Sequence, residues 1–596
     1  MERLDLETIL KIPCVDTEHP PAVSPDGNFL AYSSDLSGEW EIYLLSLQES
    51  AQTQKISQGA GGKFAPVWPA DGKWLYYAVD VDGSEQFDLW RWSSDTGEMQ
   101  NLTPESSESI LPEYDLSARG DQIALISDRS GMFEVYLLEL QNLEWQKISA
   151  LSYPACDVKW SPDGSYLAVT VEGKGQDDYT YILPVNGGEP WVIADAQGPI
   201  CAKQVSWSPE SDMLAFASNV QGFYNIGLYD VNLRRYAWLT SGRGEKENPC
   251  WSPNGRKIAF LVGQGAKNCL AVMDLVHRET AICQHEIGIY TDPVFAPDSE
   301  SIFFVFENPL TPPNLYQFIL PDQKPIPLIP SSSTIDLGKQ WILPQEIYYQ
   351  SLDGKEVPGL LFKPHSANEH SPAVVYVHGG PNWLTRIAWD GLIQHLLSRG
   401  WVVIAPNYRG STGFGKEWQL LNRFDLGGGE SQDIVAAAEY LIRNHLADPR
   451  RIAVTGRSHG GYLTMTCLTF YPDYWVCGSA VVPFINWFSA HENSRQDLQH
   501  WDIENFGDPV LDHERYVQRS PYFFLEQVKA AVQMICGEND PRCPPTESIQ
   551  AYQRLKELGK ECELRFYQGE GHVFLNRENI IDSKKKQVEF LARFLE

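Results

Sequence analysis

One periodicity constrains this chain more than any other feature. Seven times between residues 23 and 295 an apolar residue precedes a polar turn and then a strand-forming run. The anchors are Val23, Trp68, Leu116, Trp160, Trp207, Trp251 and Phe295. Their separations are 45, 48, 44, 47, 44 and 44 residues, the length of one four-stranded propeller blade. Such a unit cannot bury both faces of its own sheet, so it must stack against copies of itself. The turns read Ser24-Pro25-Asp26-Gly27 and Ser161-Pro162-Asp163-Gly164, with looser forms at Ser208-Pro209, Ser252-Pro253-Asn254-Gly255 and Ala296-Pro297-Asp298. Proline fixes φ, and Asp or Asn with Gly permits the tight reversal. Strand runs such as Trp74 to Val79 and Lys257 to Val262 follow.

The repeat stops near Ile329-Pro330, where a polar stretch from Ser331 to Thr334 intervenes. Beyond it, buried strands (Ala373 to Val377, Trp401 to Ala405, Arg451 to Thr455, Val532 to Cys536) alternate with amphipathic helices over 433–444 and 548–558. A chain of 596 residues also exceeds the roughly 250 to 300 at which single cores stop growing. The expected fold is β plus α/β: an extension over 1–20 with a short helix near 5–12, a seven-bladed β-propeller over 21–335, and an α/β-hydrolase domain over 336–596.

Charge narrows the partners. Lys and Arg number 47 against 78 Asp and Glu, a formal net charge of -31, which repels phosphate backbones and anionic membranes and makes nucleic acid an unfit partner. The acidic start from Met1 to Glu7 lacks the features of a signal peptide, and no apolar run approaches the ~18 residues of a membrane span. A cytoplasmic protein with no membrane partner is expected. The 11 cysteines are odd in number and scattered, several within apolar patterns, and read as reduced core residues. Cys536 and Cys543 form no CxxC pair, so no metal is expected, nor any other cofactor. Self-association into a homo-oligomer is left open.

The chemistry lies in the second half. Gly456-Arg457-Ser458-His459-Gly460 falls between a buried strand and a helix, the setting of a nucleophile elbow. A serine needs a base, and the base a carboxylate that fixes its tautomer, in the chain order Ser, acid, His. His572 sits in the glycine-lined loop Gly569-Glu570-Gly571-His572 after a strand. The acid is Asp540, with Glu538 a rival two residues away in the same loop. His378-Gly379-Gly380-Pro381 follows a strand and supplies an oxyanion donor from Gly380 N–H, the second coming from His459 N–H; the two imidazoles read as structural or wall groups.

Together these residues resemble the prolyl oligopeptidase family of serine peptidases, specifically its acylaminoacyl-peptidase branch. The resemblance covers nearly the whole chain: the seven repeats, His378-Gly-Gly-Pro, Asn407-Tyr-Arg-Gly-Ser-Thr-Gly-Phe-Gly415, Gly456-Arg-Ser-His-Gly-Gly, Asp540-Pro541-Arg542 and Gly571-His572. It implies hydrolysis of short peptides, with the propeller screening access by size. It further implies that Arg542 binds a substrate carbonyl or carboxylate, and that Phe484, Trp487 and Phe488 line the pocket for the residue before the scissile bond. The paired Glu-Glu of the dipeptidyl-peptidase branch is missing, because no two glutamates are adjacent; convergence of separated glutamates stays open. An esterase acting on small acyl esters would use the same triad, and a propeller interaction protein with a decayed hydrolase half would have lost a triad residue or oxyanion glycine; none is lost.

Overall fold

The computed structural model describes residues 5–48, 52–104, 108–283, 286–320, 324–330 and 341–596. Between Ala22 and Pro327 each repeat folds as a four-stranded antiparallel sheet, seven in all. The anchors acquire a common place: Val23, Leu116, Trp160, Trp207, Trp251 and Phe295 end the first strands of their blades, and Trp68 directly follows Gly62–Val67. The recurrent serine has a local reason. Ser24 Oγ donates to Asp26 Oδ1 at 2.6 Å and accepts Phe29 N–H at 2.9 Å, closing the turn onto the next strand. Ser161 with Asp163 and Tyr166, and Ser252 with Asn254 and Lys257, repeat this arrangement.

The blades stack through alternation along their second strands. In Gln122–Ser127, Ile123 and Leu125 pack toward the preceding blade while Ala124 and Ile126 pack toward the following one. The ring closes without a covalent clasp: Phe303 and Val305 of the last blade pack on Leu30 and Tyr32 of the first. The linker expected at Ser331 to Thr334, and with it the boundary at 335, lies outside the described residues.

The second domain is an eight-stranded sheet of β1 (Gln345–Gln350), β2 (Glu356–Phe362), β3 (Ala373–Val377), β4 (Val402–Pro406), β5 (Ile452–Arg457), β6 (Cys477–Val481), β7 (Ala531–Gly537) and β8 (Cys562–Tyr567), in the order β1-β2-β4-β3-β5-β6-β7-β8. From β4 through β8 it is parallel. Helices Gly391–Ser398 and Arg577–Leu595 cover one face; Gly429–Arg443, His459–Phe470 and Pro545–Glu557 cover the other. Two of these start earlier than their apolar periodicity indicates, at Gly429 instead of 433 and at Pro545 instead of 548. Each first turn contains a fully buried glutamate, Glu430 or Glu547, a residue type that a hydrophobic pattern counts as outside.

The N-terminal helix forms over Leu6–Leu10, capped by Asp5. It precedes the propeller in the chain but lies on the hydrolase domain: Ile9 and Ile12 pack with Trp341 and Trp389, and Glu7 pairs with Lys585. Propeller residues also bind that domain, through Asp35–Arg577 at 3.1 Å, Asp177–Lys416 at 2.6 Å, and Glu245 accepting Gly415 N–H at 2.9 Å.

Candidate active site

Strand β5 runs into helix His459–Phe470 through Ser458, whose φ of 59° and ψ of -124° lie outside the regions open to most L-residues. The glycines on either side explain how the chain makes this turn. A Cβ on Gly456 would sit 2.4 Å from the Gly460 carbonyl oxygen, and one on Gly460 would sit 2.3 Å from that of Val377. Ser458 is held by its N–H on Val481 O at 2.9 Å. Burial pushes the pKa of the Cys543 thiol beside it well up.

The neighbouring strands β7 and β8 end level, Gly537 opposite Tyr567, so their following loops meet at the same end of the sheet. Asp540 Oδ1 accepts the N–H groups of Arg542 and Cys543 at 2.9 and 2.8 Å. Asp540 Oδ1 and Oδ2 lie 2.9 and 2.8 Å from His572 Nδ1. With Nδ1–H donated to this carboxylate, Nε2 carries the lone pair. Burial depresses the His572 pKa below the ordinary histidine value, while Asp540 opposes that shift. Glu538 is exposed and accepts Gly569 N–H at 3.1 Å. Of the two acids the sequence leaves open, Asp540 is the one that holds the imidazole.

The His572 loop is braced from three sides. Fully buried Glu570 accepts Leu575 N–H at 2.7 Å and Asn579 Nδ2 at 2.7 Å, and Arg457 donates to the His572 carbonyl. The third brace comes from the propeller: a Cβ on Gly571 would fall 1.6 Å from the Gly83 carbonyl oxygen. These backbones touch only because neither residue has a side chain.

Strand β3 leads into the His378–Pro381 loop, and a Cβ on Gly379 would stand 3.3 Å from Ser458 Cβ, which places this loop beside the elbow. His378 stacks on Tyr408 at 4.2 Å, and its Nε2 is 2.9 Å from Ser411 Oγ. Burial pushes its pKa down to about 3, so it stays neutral and supports the loop. His459 opens its helix, where N–H groups lack an intrahelical acceptor, and its ring turns toward Glu430, Nε2 to Oε2 3.2 Å. The backbone N–H groups of Gly380 and His459 have no backbone acceptor among the described residues.

Phe484 stacks on Tyr462 at 4.6 Å and meets Trp487 edge-on at 4.7 Å; Trp487 in turn stacks on Phe506 at 4.1 Å. Phe488 packs with His513, Tyr516 and Phe523, and Tyr516 in turn meets Trp487 edge-on at 6.3 Å. Arg542 has an unexpected partner: its Nε lies 2.7 Å from Oε1 of Glu85, a propeller residue that also pairs with Arg495 at 3.0 Å. Half of the Arg542 side chain remains exposed. Glu85, Gly83 and Arg495 escape sequence reading because Asp82-Gly83-Ser84-Glu85 looks like any solvated hairpin turn. Only the arrangement of the two domains brings it to the His572 loop.

A strained serine between strand and helix, a buried His–Asp pair and a glycine-rich loop beside them, on an α/β-hydrolase sheet facing a propeller, define a serine hydrolase. Residues 389–596 match the family model described as prolyl oligopeptidase family, and residues 14–152 match the TolB beta propeller domain. The domain over 389–596 is thus one of the prolyl oligopeptidase family, and the chain is a serine peptidase. It is similar to the uncharacterized peptidase YuxL of Bacillus subtilis, 25% identical over 97% of this chain and 89% of that one. It is also similar to the acylamino-acid-releasing enzyme of Rattus norvegicus, 26% identical over 58% of this chain and 50% of that one. Among solved structures, a Mycobacterium tuberculosis puromycin-hydrolyzing peptidase shares the fold with a TM-score of 0.87 at 18% identity, covering 100% of this chain and 96% of that one. The esterase and interaction-protein alternatives give way to the peptidase class. Among the described residues no helix is long and apolar enough to cross a membrane.

Proposed function

We propose that the enzyme hydrolyses short peptides through an acyl-enzyme on Ser458, as an acylaminoacyl-peptidase or oligopeptidase. The observation that carries this reading is the His572 imidazole, fixed through Nδ1 by both oxygens of Asp540 at the sheet end that bears Ser458. Ser458 Oγ attacks the scissile carbonyl as its proton passes to His572 Nε2. The Gly380 and His459 N–H groups take the developing oxyanion. His572 then protonates the leaving amine, and water repeats the sequence to release the acyl group. Phe484 and Trp487, with Tyr462 beside them, suit a large apolar side chain before the scissile bond. The Arg542 nitrogens beyond the Glu85 pair serve a substrate carbonyl or carboxylate. All 11 cysteines are free thiols, which fits a reducing cytoplasm.

The test is one short peptide in free, N-acetylated and C-amidated forms, alongside intact casein. The acetylated and amidated peptides are cut and casein is not. Efficient casein degradation contradicts size screening by the propeller, and cleavage confined to the free-amino form makes the enzyme an aminopeptidase.

The pH profile follows from the same pair. His572 must be neutral to accept the serine proton, and burial moves its pKa below 6.5. Activity is therefore retained as pH falls to that value and lost below it. A kcat/KM profile whose acid limb has its midpoint above 6.5 contradicts the assignment.

A further inference from the structure

The segment that leaves β6 and enters the first turn of helix Trp487–Asn493 carries both aromatics of the proposed pocket, and one side chain shapes it. Glu547 lies in the first turn of helix Pro545–Glu557 and is completely buried. Its Oε2 accepts the N–H groups of Ile485 and Asn486, at 2.9 and 2.8 Å. Its Oε1 accepts Gln550 Nε2 at 2.7 Å and the Ser489 hydroxyl. All of these donors are neutral, and they oppose a desolvation that pushes the Glu547 pKa up. The next two amides are fixed as well: Trp487 N–H on Ser520 Oγ at 2.9 Å and Phe488 N–H on Asn486 Oδ1 at 3.1 Å. Upstream, Val482 has a φ of 41° and its N–H is tied to Ile535 O of β7 at 2.7 Å. Every backbone amide from Ile485 to Phe488 thus has a set acceptor.

The position of Glu547 in the chain gives this clamp a purpose. Its helix begins directly after the loop that bears Asp540. One short stretch, 540–547, therefore carries the carboxylate that holds His572 and the carboxylate that holds the pocket wall. Each accepts a pair of backbone N–H groups, Asp540 those of Arg542 and Cys543, Glu547 those of Ile485 and Asn486.

We propose that Glu547 is a positioning residue for specificity: it fixes Phe484 and Trp487 in register with Ser458, so that the pocket discriminates the side chain before the scissile bond. It takes no part in making or breaking that bond. The inference rests on the site reading above. A carboxylate accepts on both oxygens, whereas the isosteric amide can keep an acceptor for the Ile485 and Asn486 N–H groups only by turning its NH2 toward the Ser489 hydroxyl and the Gln550 amide, which now donate to that position.

The experiment compares Glu547→Gln and Ser489→Ala with the unmodified enzyme on two peptides that differ only in Phe or Ala before the scissile bond. Labelling of Ser458 by a fluorophosphonate and turnover of p-nitrophenyl acetate are measured on the same samples. In Glu547→Gln the kcat/KM preference for Phe falls about 10-fold, mainly through KM, while labelling and ester turnover fall by less than about 3-fold. Ser489→Ala, which removes one donor, lowers the preference about 2-fold in the same direction. An unchanged preference in a folded Glu547→Gln, or equal losses on both peptides and the ester, overturns the proposal. If Glu547→Gln does not fold, an undiminished preference in Ser489→Ala overturns it instead. Ser458→Ala assayed beside them separates the two levels of inference, since turnover surviving that change removes the site reading itself.

Discussion

Ser458→Ala lowers peptide kcat/KM by on the order of 10⁵-fold and leaves the fold in place. The reaction loses its nucleophile, and what survives is the contribution of binding and the oxyanion donors. The cost to stability is small, within about 0.5 kcal/mol, because alanine removes only a hydroxyl from a half-buried turn. The backbone at φ 59° is held by Ser458 N–H on Val481 O and by the flanking glycines, and all of these persist without the hydroxyl. Steady-state kinetics and a thermal melt check both halves. Ordinary turnover in the folded variant would falsify the nucleophile assignment.

Asp540→Asn is expected to lower kcat/KM by about 10⁴-fold. The asparagine amide donates toward His572 Nδ1 and selects the tautomer in which Nε2 carries the proton, so Nε2 no longer accepts one from serine. The asparagine keeps a carbonyl oxygen for the Arg542 and Cys543 N–H groups, both of which bond to Oδ1, so the loop is retained and a thermal melt recorded with the kinetics checks it. Glu538→Gln is the matched control. That side chain is exposed and touches the His572 loop only through Gly569 N–H, so its activity changes by less than about 3-fold. Collapse of Glu538→Gln with Asp540→Asn active would move the acid to Glu538.

The propeller reaches into the site: Gly83 lies against Gly571, Glu85 pairs with Arg542, and Asn539 Nδ2 donates to Asp82 O at 2.9 Å. The loops carrying the acid and the base are thus completed by a blade hairpin more than 400 residues earlier in the chain. A domain that only screened substrates would not need such contacts.

The amino-acid sequence by itself determined whatever is local or periodic. The blade repeat is legible because each unit spends its turn residues and its alternating apolar positions in the same way, and the Ser24–Asp26 and Ser161–Asp163 pairs satisfy themselves within a few residues. The elbow is legible because Gly456 and Gly460 are demanded by backbone contacts within one strand-turn-helix unit and its neighbouring strand. Tertiary structure decided what depends on distant segments. The choice between Asp540 and Glu538 turns on which carboxylate faces a histidine from another strand end. The burial of Glu547, which sequence patterns assign to solvent, depends on amides that another loop presents to it, and that of Glu430 is matched by the His459 ring from a later helix. The partner of Arg542 comes from the other domain. A side chain's hydrogen-bonding capacity is written in its residue type, but the groups that fill it are fixed only when remote parts of the chain are brought together.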